Sequence, residues 1–131
     1  MKIAIIVDWI VRIVAAVILL QTLYFKFTAH SESVALFTKL GVEPWGRIGT
    51  GVIELLAGIL LVLPPTAFFG AMLGIGLMAG AILSHLSVLG IASSGDGGQL
   101  FILAIIVLLC SGITAWTHRE QGIRIWNKFQ N

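Results

Sequence analysis

With 131 residues, 58% of them hydrophobic and only 11% charged, the chain has a mean hydropathy of +1.03, far outside the range of a soluble domain of this size. Its formal charge of +2 points to no partner class, and no basic run of the nucleic-acid-binding type occurs. A single cysteine, Cys110, excludes a membrane reductase that works through an internal dithiol.

Four apolar runs, 3–25, 47–63, 67–89 and 100–116, are long enough to cross a hydrocarbon layer of roughly 30 Å. The predicted fold class is therefore all-α, a polytopic membrane four-helix bundle forming one domain over 1–131, with the lipid bilayer as its first partner. Lys2 followed by an apolar stretch has the outline of a signal peptide, but Asp8 and Arg12 interrupt the apolar region and no small-x-small site follows, so the first run is expected to be a span. On it Asp8, Arg12, Ala15, Leu19, Thr22 and Lys26 recur at steps of four and three and share one helix face. Ionisable groups avoid lipid, so this stripe should face the bundle interior. Asp8 and Arg12, one turn apart with the acid first, form a secondary polar pair that can neutralise itself.

The connection from Thr28 to Pro44 holds a short helical pattern, with Ser31 or Ser33 as N-cap, Val34, Phe37 and Leu40 as an apolar row and Gly41 as stop. A short interfacial helix between spans one and two is expected, serving as an anchor on the membrane surface or as a lid. The second span places Arg47, Gly51, Glu54, Gly58 and Leu61 on one face. Glu54 is the only charge between Arg47 and His85, and a carboxylate at that depth costs on the order of 2.5 to 3.5 kcal/mol on insertion scales, so it needs a partner or a purpose.

Pro64 and Pro65 close a tight turn into the third span, which makes spans two and three an antiparallel hairpin. The third span carries two rows of small residues, Gly70 with Gly74, and Gly76 with Gly80 and Ser84, suited to close helix packing within the chain or in a homo-oligomer. A separate stripe, Gly74, Met78, Ala81 and His85, ends in the only histidine inside a span. A Ser-Gly loop at 93–98 leads to the fourth span. The tail 117–131 spaces Ile123, Trp126 and Phe129 three apart, as an amphipathic piece on the membrane surface would, although a frayed polar tail fits equally well.

Five of the Lys and Arg residues, Lys2, Arg12, Arg119, Arg124 and Lys128, fall on the side of the termini, and three, Lys26, Lys39 and Arg47, on the other, so cytoplasmic termini are favoured. At 1.5 Å of rise per residue, Lys26 then lies at the outer boundary, His85 roughly 6 Å and Glu54 about 10 Å below it, while Arg12 is about 21 Å deeper than Lys26. Glu54, His85 and Lys26 are thus the candidate ligand-binding or proton-transfer set, with Arg12 and Asp8 set apart.

Arg12 to Lys26-Phe27, the stretch from Leu40 through Pro44-Trp45-Gly46-Arg47 to Gly49, Gly51-Val52-Ile53-Glu54-Leu55, and Gly80 to His85-Leu86 together resemble the DoxX-like family of small membrane proteins. The resemblance implies a four-helix protein of a bacterial inner membrane, in a family named for subunits of a membrane thiosulfate:quinone oxidoreductase, with Arg12, Lys26, Glu54 and His85 as its recurring polar residues. A quinone is the implied small-molecule partner and a redox subunit the implied protein partner. Glu54 and His85 would then bond or exchange protons with a quinone head group, with Lys26 as counter-charge. No flavin, haem or cluster motif accompanies them, no metal site is expected, and a haem held between His30 and His85 would require a geometry that the loop does not guarantee. Two other readings stand beside this one: a non-catalytic binding or transport protein with a cavity under the Ser31 to Leu40 segment, and a polar clasp that fixes helix register without any ligand.

Overall fold

The computed structural model describes residues 2–92 and 97–130. Of the loop expected at 93–98, Ser93, Ser94, Gly95 and Asp96 lie outside the described residues. The described residues contain helices and no strands. Four helices are long and apolar enough to cross a membrane: α1 (Lys2–Phe27), α3 (Trp45–Val62), α4 (Ala67–Ser84), which continues through a π-helical turn at His85–Leu89, and α5 (Gln99–Thr117). Two shorter helices flank them, α2 (Ser31–Lys39) between the first two long helices and α6 (Arg119–Gln130) after the last.

The four long helices form a ring in which α1 packs against α3 and α5, and α4 against the other sides of the same two. Small residues let them close up. A Cβ added at Gly70 would fall 2.6 Å from the Leu61 nitrogen and 2.9 Å from the Ala57 oxygen, so α3 and α4 touch backbone to backbone there. At Gly74 an added Cβ would meet Ser111 Oγ of α5 at 2.5 Å. This first glycine row is thus taken up within the chain. Gly76 and Gly80 of the second row have nothing within 4 Å.

The core between the helices is narrow, built of Ala15, Ala16, Leu19, Ala57, Leu61, Ala71, Met78, Ala104 and Val107. Large apolar side chains point outward instead, among them Ile6, Ile10, Ile13 and Val17 on α1, Val52, Leu56 and Ile59 on α3, and Leu109 and Ile113 on α5. Such a surface belongs against lipid tails, not water.

The polar stripes face inward. Arg12, Ala15 and Leu19 of α1 and Arg47, Gly51, Glu54, Gly58 and Leu61 of α3 are all buried. The turn at Pro64–Thr66 is a single 3-10 turn, because proline supplies no amide donor to continue α3.

One sequence expectation is corrected at α2. Its N-cap is His30, whose Nδ1 accepts the Glu32 amide at 3.3 Å, while Ser31 and Ser33 both lie inside the helix. A ring nitrogen does here what a serine hydroxyl does at other helix starts. Gly41 does end the helix, at φ +78, and Phe37 anchors it to the bundle.

Candidate functional site

Side chains from α1 and α3 meet near the end of the bundle that carries α2. Lys26 is one turn beyond Thr22 on α1, and both point at Glu54. Lys26 Nζ donates to Glu54 Oε1 at 2.7 Å and to Oε2 at 2.9 Å, with Thr22 Oγ1 a weaker third acceptor at 3.4 Å. Thr22 Oγ1 lies 2.8 Å from Glu54 Oε2 and 2.8 Å from the Leu19 carbonyl oxygen. Glu54 is 5% exposed, so its charge is neutralised by the ammonium and not by water. Arg47 stays out of this cluster. Its Nε donates to both carboxylate oxygens of Glu43, at 2.9 and 3.0 Å, and its Nη1 donates to the Lys26 carbonyl, which caps the end of α1.

His85 is held differently. The π-helical turn that begins at His85 ends at Gly90, which adopts φ +79 and returns its carbonyl to the ring: His85 Nδ1 is 2.9 Å from Gly90 O, and the Gly90 amide donates to His85 O at 2.8 Å. Phe101 packs against the ring with centroids 5.7 Å apart. No hydrogen bond joins His85 to Glu54 or Lys26.

These three candidates nevertheless border one space. A cavity of about 750 Å³ opens between α1, α2, α3, α4 and the start of α5, and Thr22, Lys26, Glu54 and His85 are among its polar lining groups, with Thr50 and Ser84. Its remaining wall is mainly apolar, with Ile18, Leu36, Phe37, Leu77, Met78 and Leu103 prominent. Gly76 and Gly80 border it too, and their missing side chains leave part of the room. The volume falls in the range of small-molecule sites, whose walls are likewise mainly apolar with some polar groups.

The other end of the bundle holds a second, separate network. Arg12 is 1% exposed; its Nε donates to Leu61 O at 2.7 Å, its Nη1 to Asp8 Oδ2 at 3.1 Å, and its guanidinium lies 4.0 Å over the Trp9 ring. Asp8 Oδ1 in turn contacts His118 Nε2 at 2.9 Å. Gln121 extends the contacts to α4, accepting the Phe68 amide at 2.9 Å and donating to Pro64 O at 2.7 Å. Arg12 and Asp8 therefore tie α1 to α3 and to the α5–α6 junction and do not border the cavity.

Sequence reasoning did not single out Thr22, although the helix wheel had placed it on the α1 stripe. It also missed His118 and Gln121, which read as polar residues of a tail. No signal in the sequence pairs His85 with Gly90.

A family model described as the DoxX-like family matches residues 10–113. The chain belongs to the DoxX-like family. The match spans most of the four-helix unit and contains every residue of the Lys26–Glu54–His85 set and of the cavity wall. No curated protein and no solved structure matches it. Among the described residues of this DoxX-like protein no group of three His, Cys, Asp or Glu side chains is placed to hold a metal ion.

Proposed function

We infer that this DoxX-like protein binds a hydrophobic small molecule with a polar head, of the quinone type, inside the membrane bundle. The observation that carries this reading is the cavity: about 750 Å³, walled mainly by apolar side chains, with Lys26, Glu54 and His85 all among its lining residues. A ring of quinone size with a polyprenyl or alkyl tail matches a mainly apolar wall that carries a few buried polar groups. The chain would supply the binding pocket, and a redox partner subunit the electron-transfer group. The lysine and arginine count favours cytoplasmic termini, which would put the cavity in the outer half of the bacterial inner membrane that the family resemblance implies.

One observation favours a second reading. The Glu54 carboxylate already receives bonds from Lys26 and Thr22 inside the protein, as a clasp between α1 and α3 would require. The two are separated by Glu54→Gln. In a binding protein the wild type carries a co-purifying molecule that the variant loses while it keeps its fold; in a clasp neither carries one, and the variant loses stability alone.

A further inference from the structure

The hydrogen-bonding state of the cavity's buried polar groups follows from their partners. In a neutral imidazole one ring nitrogen donates and the other accepts. His85 Nδ1 faces the Gly90 carbonyl oxygen at 2.9 Å, and a carbonyl oxygen can only accept, so Nδ1 carries the proton. Nε2 is then a bare acceptor. It has no hydrogen-bond partner among the described residues, yet it is not sealed in: the fully buried side-chain atoms without a partner are Arg12 Nη2 and Ser111 Oγ. His85 itself is 4% exposed and lines the cavity, which is the space left for Nε2 to address.

The neighbouring donors are committed elsewhere. The Lys26 ammonium has three acceptors, both Glu54 oxygens and Thr22 Oγ1. The single hydroxyl proton of Thr22 goes to Glu54 or to Leu19 O, and the Ser84 hydroxyl donates to Gly80 O at 2.8 Å. Glu54 accepts only, and its two oxygens take three of roughly four available bonds. The lining donors without a bond among the described residues belong to Gln21, His30 (whose Nδ1 accepts the Glu32 amide and leaves the proton on Nε2), Ser33, Trp45 and Gln99, all exposed or half-buried. The buried groups, Glu54 and His85, thus offer acceptors and ask for a donor.

We propose that the cavity selects a lipophilic ligand whose head is a hydroxyl donor, a phenol or the reduced quinol form of a quinone, and that His85 Nε2 is the acceptor that specifies it. An oxidised quinone, whose two ring oxygens only accept, leaves Nε2 unbonded. The proposal rests on the reading of the cavity as a ligand site and adds the chemical class of the head group.

The test uses a para-alkylphenol and its methyl ether, which share an apolar body and differ in the donor, titrated into the full-length protein in lipid nanodiscs. The phenol is expected to bind about tenfold more tightly, the worth of one satisfied hydrogen bond to a buried acceptor. The preference should vanish in His85→Phe, which keeps an aromatic ring without the acceptor. Nitrogen NMR of the wild-type protein gives a second readout that requires no variant to fold: the phenol, and not the ether, should move the His85 Nε2 resonance upfield while Nδ1 stays protonated. Equal binding of phenol and ether, a preference that survives His85→Phe, or a His85 ring protonated at Nε2 instead of Nδ1 would each overturn the proposal while leaving the cavity a ligand site. If neither probe binds, the ligand-site reading fails and the proposal fails with it.

Discussion

Lys26 of α1 and Glu54 of α3 form a two-point ion pair, Nζ lying 2.7 and 2.9 Å from the two carboxylate oxygens, at the boundary between the packed core and the cavity. The pair joins two helices and forms part of the cavity wall, so structural and binding roles meet in the same atoms. Its two ends are not equivalent. Glu54 is buried within α3, whereas Lys26 stands in the last turn of α1 with a long stem that can carry its charge toward the surface.

That asymmetry sets the first prediction. Lys26→Met strands a buried carboxylate and should destabilise the protein by about 3 kcal/mol. Glu54→Gln leaves an ammonium that can withdraw to the interface, and should cost only about 1 kcal/mol. The double variant should be more stable than Lys26→Met alone. Unfolding in mixed detergent micelles measures all three.

Arg12 is held by a fork. Nε and Nη1 reach different helices, Leu61 O at 2.7 Å and Asp8 at 3.1 Å, and a lysine ammonium cannot make both bonds in those directions. Arg12→Lys should therefore destabilise nearly as much as Arg12→Met, each by roughly 3 kcal/mol. Because this network is remote from the cavity, the protein that remains folded should keep its ligand affinity, as a titration of the surviving fraction would report.

The two glycine rows of α4 should respond in opposite ways. Gly70→Ala drives a methyl into the α3 backbone and should cost about 1 to 3 kcal/mol. Gly76→Ala meets open space and should stay within about 0.5 kcal/mol of wild type. Thermal unfolding of the pair is the measurement.

Gln121 latches α6 to the start of α4 through one accepted and one donated bond. Gln121→Ala should cost about 1 to 2 kcal/mol and loosen α6 before the bundle. Limited proteolysis should then cut between Arg119 and Lys128 faster in the variant, with no change in the rest of the chain.

How much of this could be read beforehand depended on whether an interaction runs along one helix or between distant segments. Hydropathy placed the four long helices, because lipid imposes both length and apolarity. Helix periodicity put Arg12, Thr22 and Lys26 on one face of α1 and Arg47 and Glu54 on one face of α3. Rise per residue then put Lys26 and Glu54 in the same half of the bundle, near enough to meet, and left Arg12 behind. His85 was grouped with Glu54, and both line the cavity, but its bond to Gly90 depends on a π-helical turn that no periodicity announces. His118 reaches Asp8 from 110 positions away, a pairing invisible to any local pattern. His30 capping α2 defeated the usual serine rule because the chain turns through Ala29 at φ 54 and brings the ring over the helix start.

Filling the cavity tests the central claim most directly. Gly80→Leu adds a side chain where nothing lies within 4 Å, on the cavity wall and on a different helix from Lys26 and Glu54. Native mass spectrometry of the wild-type protein and of this variant, released from nanodiscs, should show a bound lipophilic molecule of a few hundred daltons on the first and none on the second, with equal thermal stability. A wild-type protein that carries no such molecule, or a Gly80→Leu variant that carries it unchanged, would contradict the account.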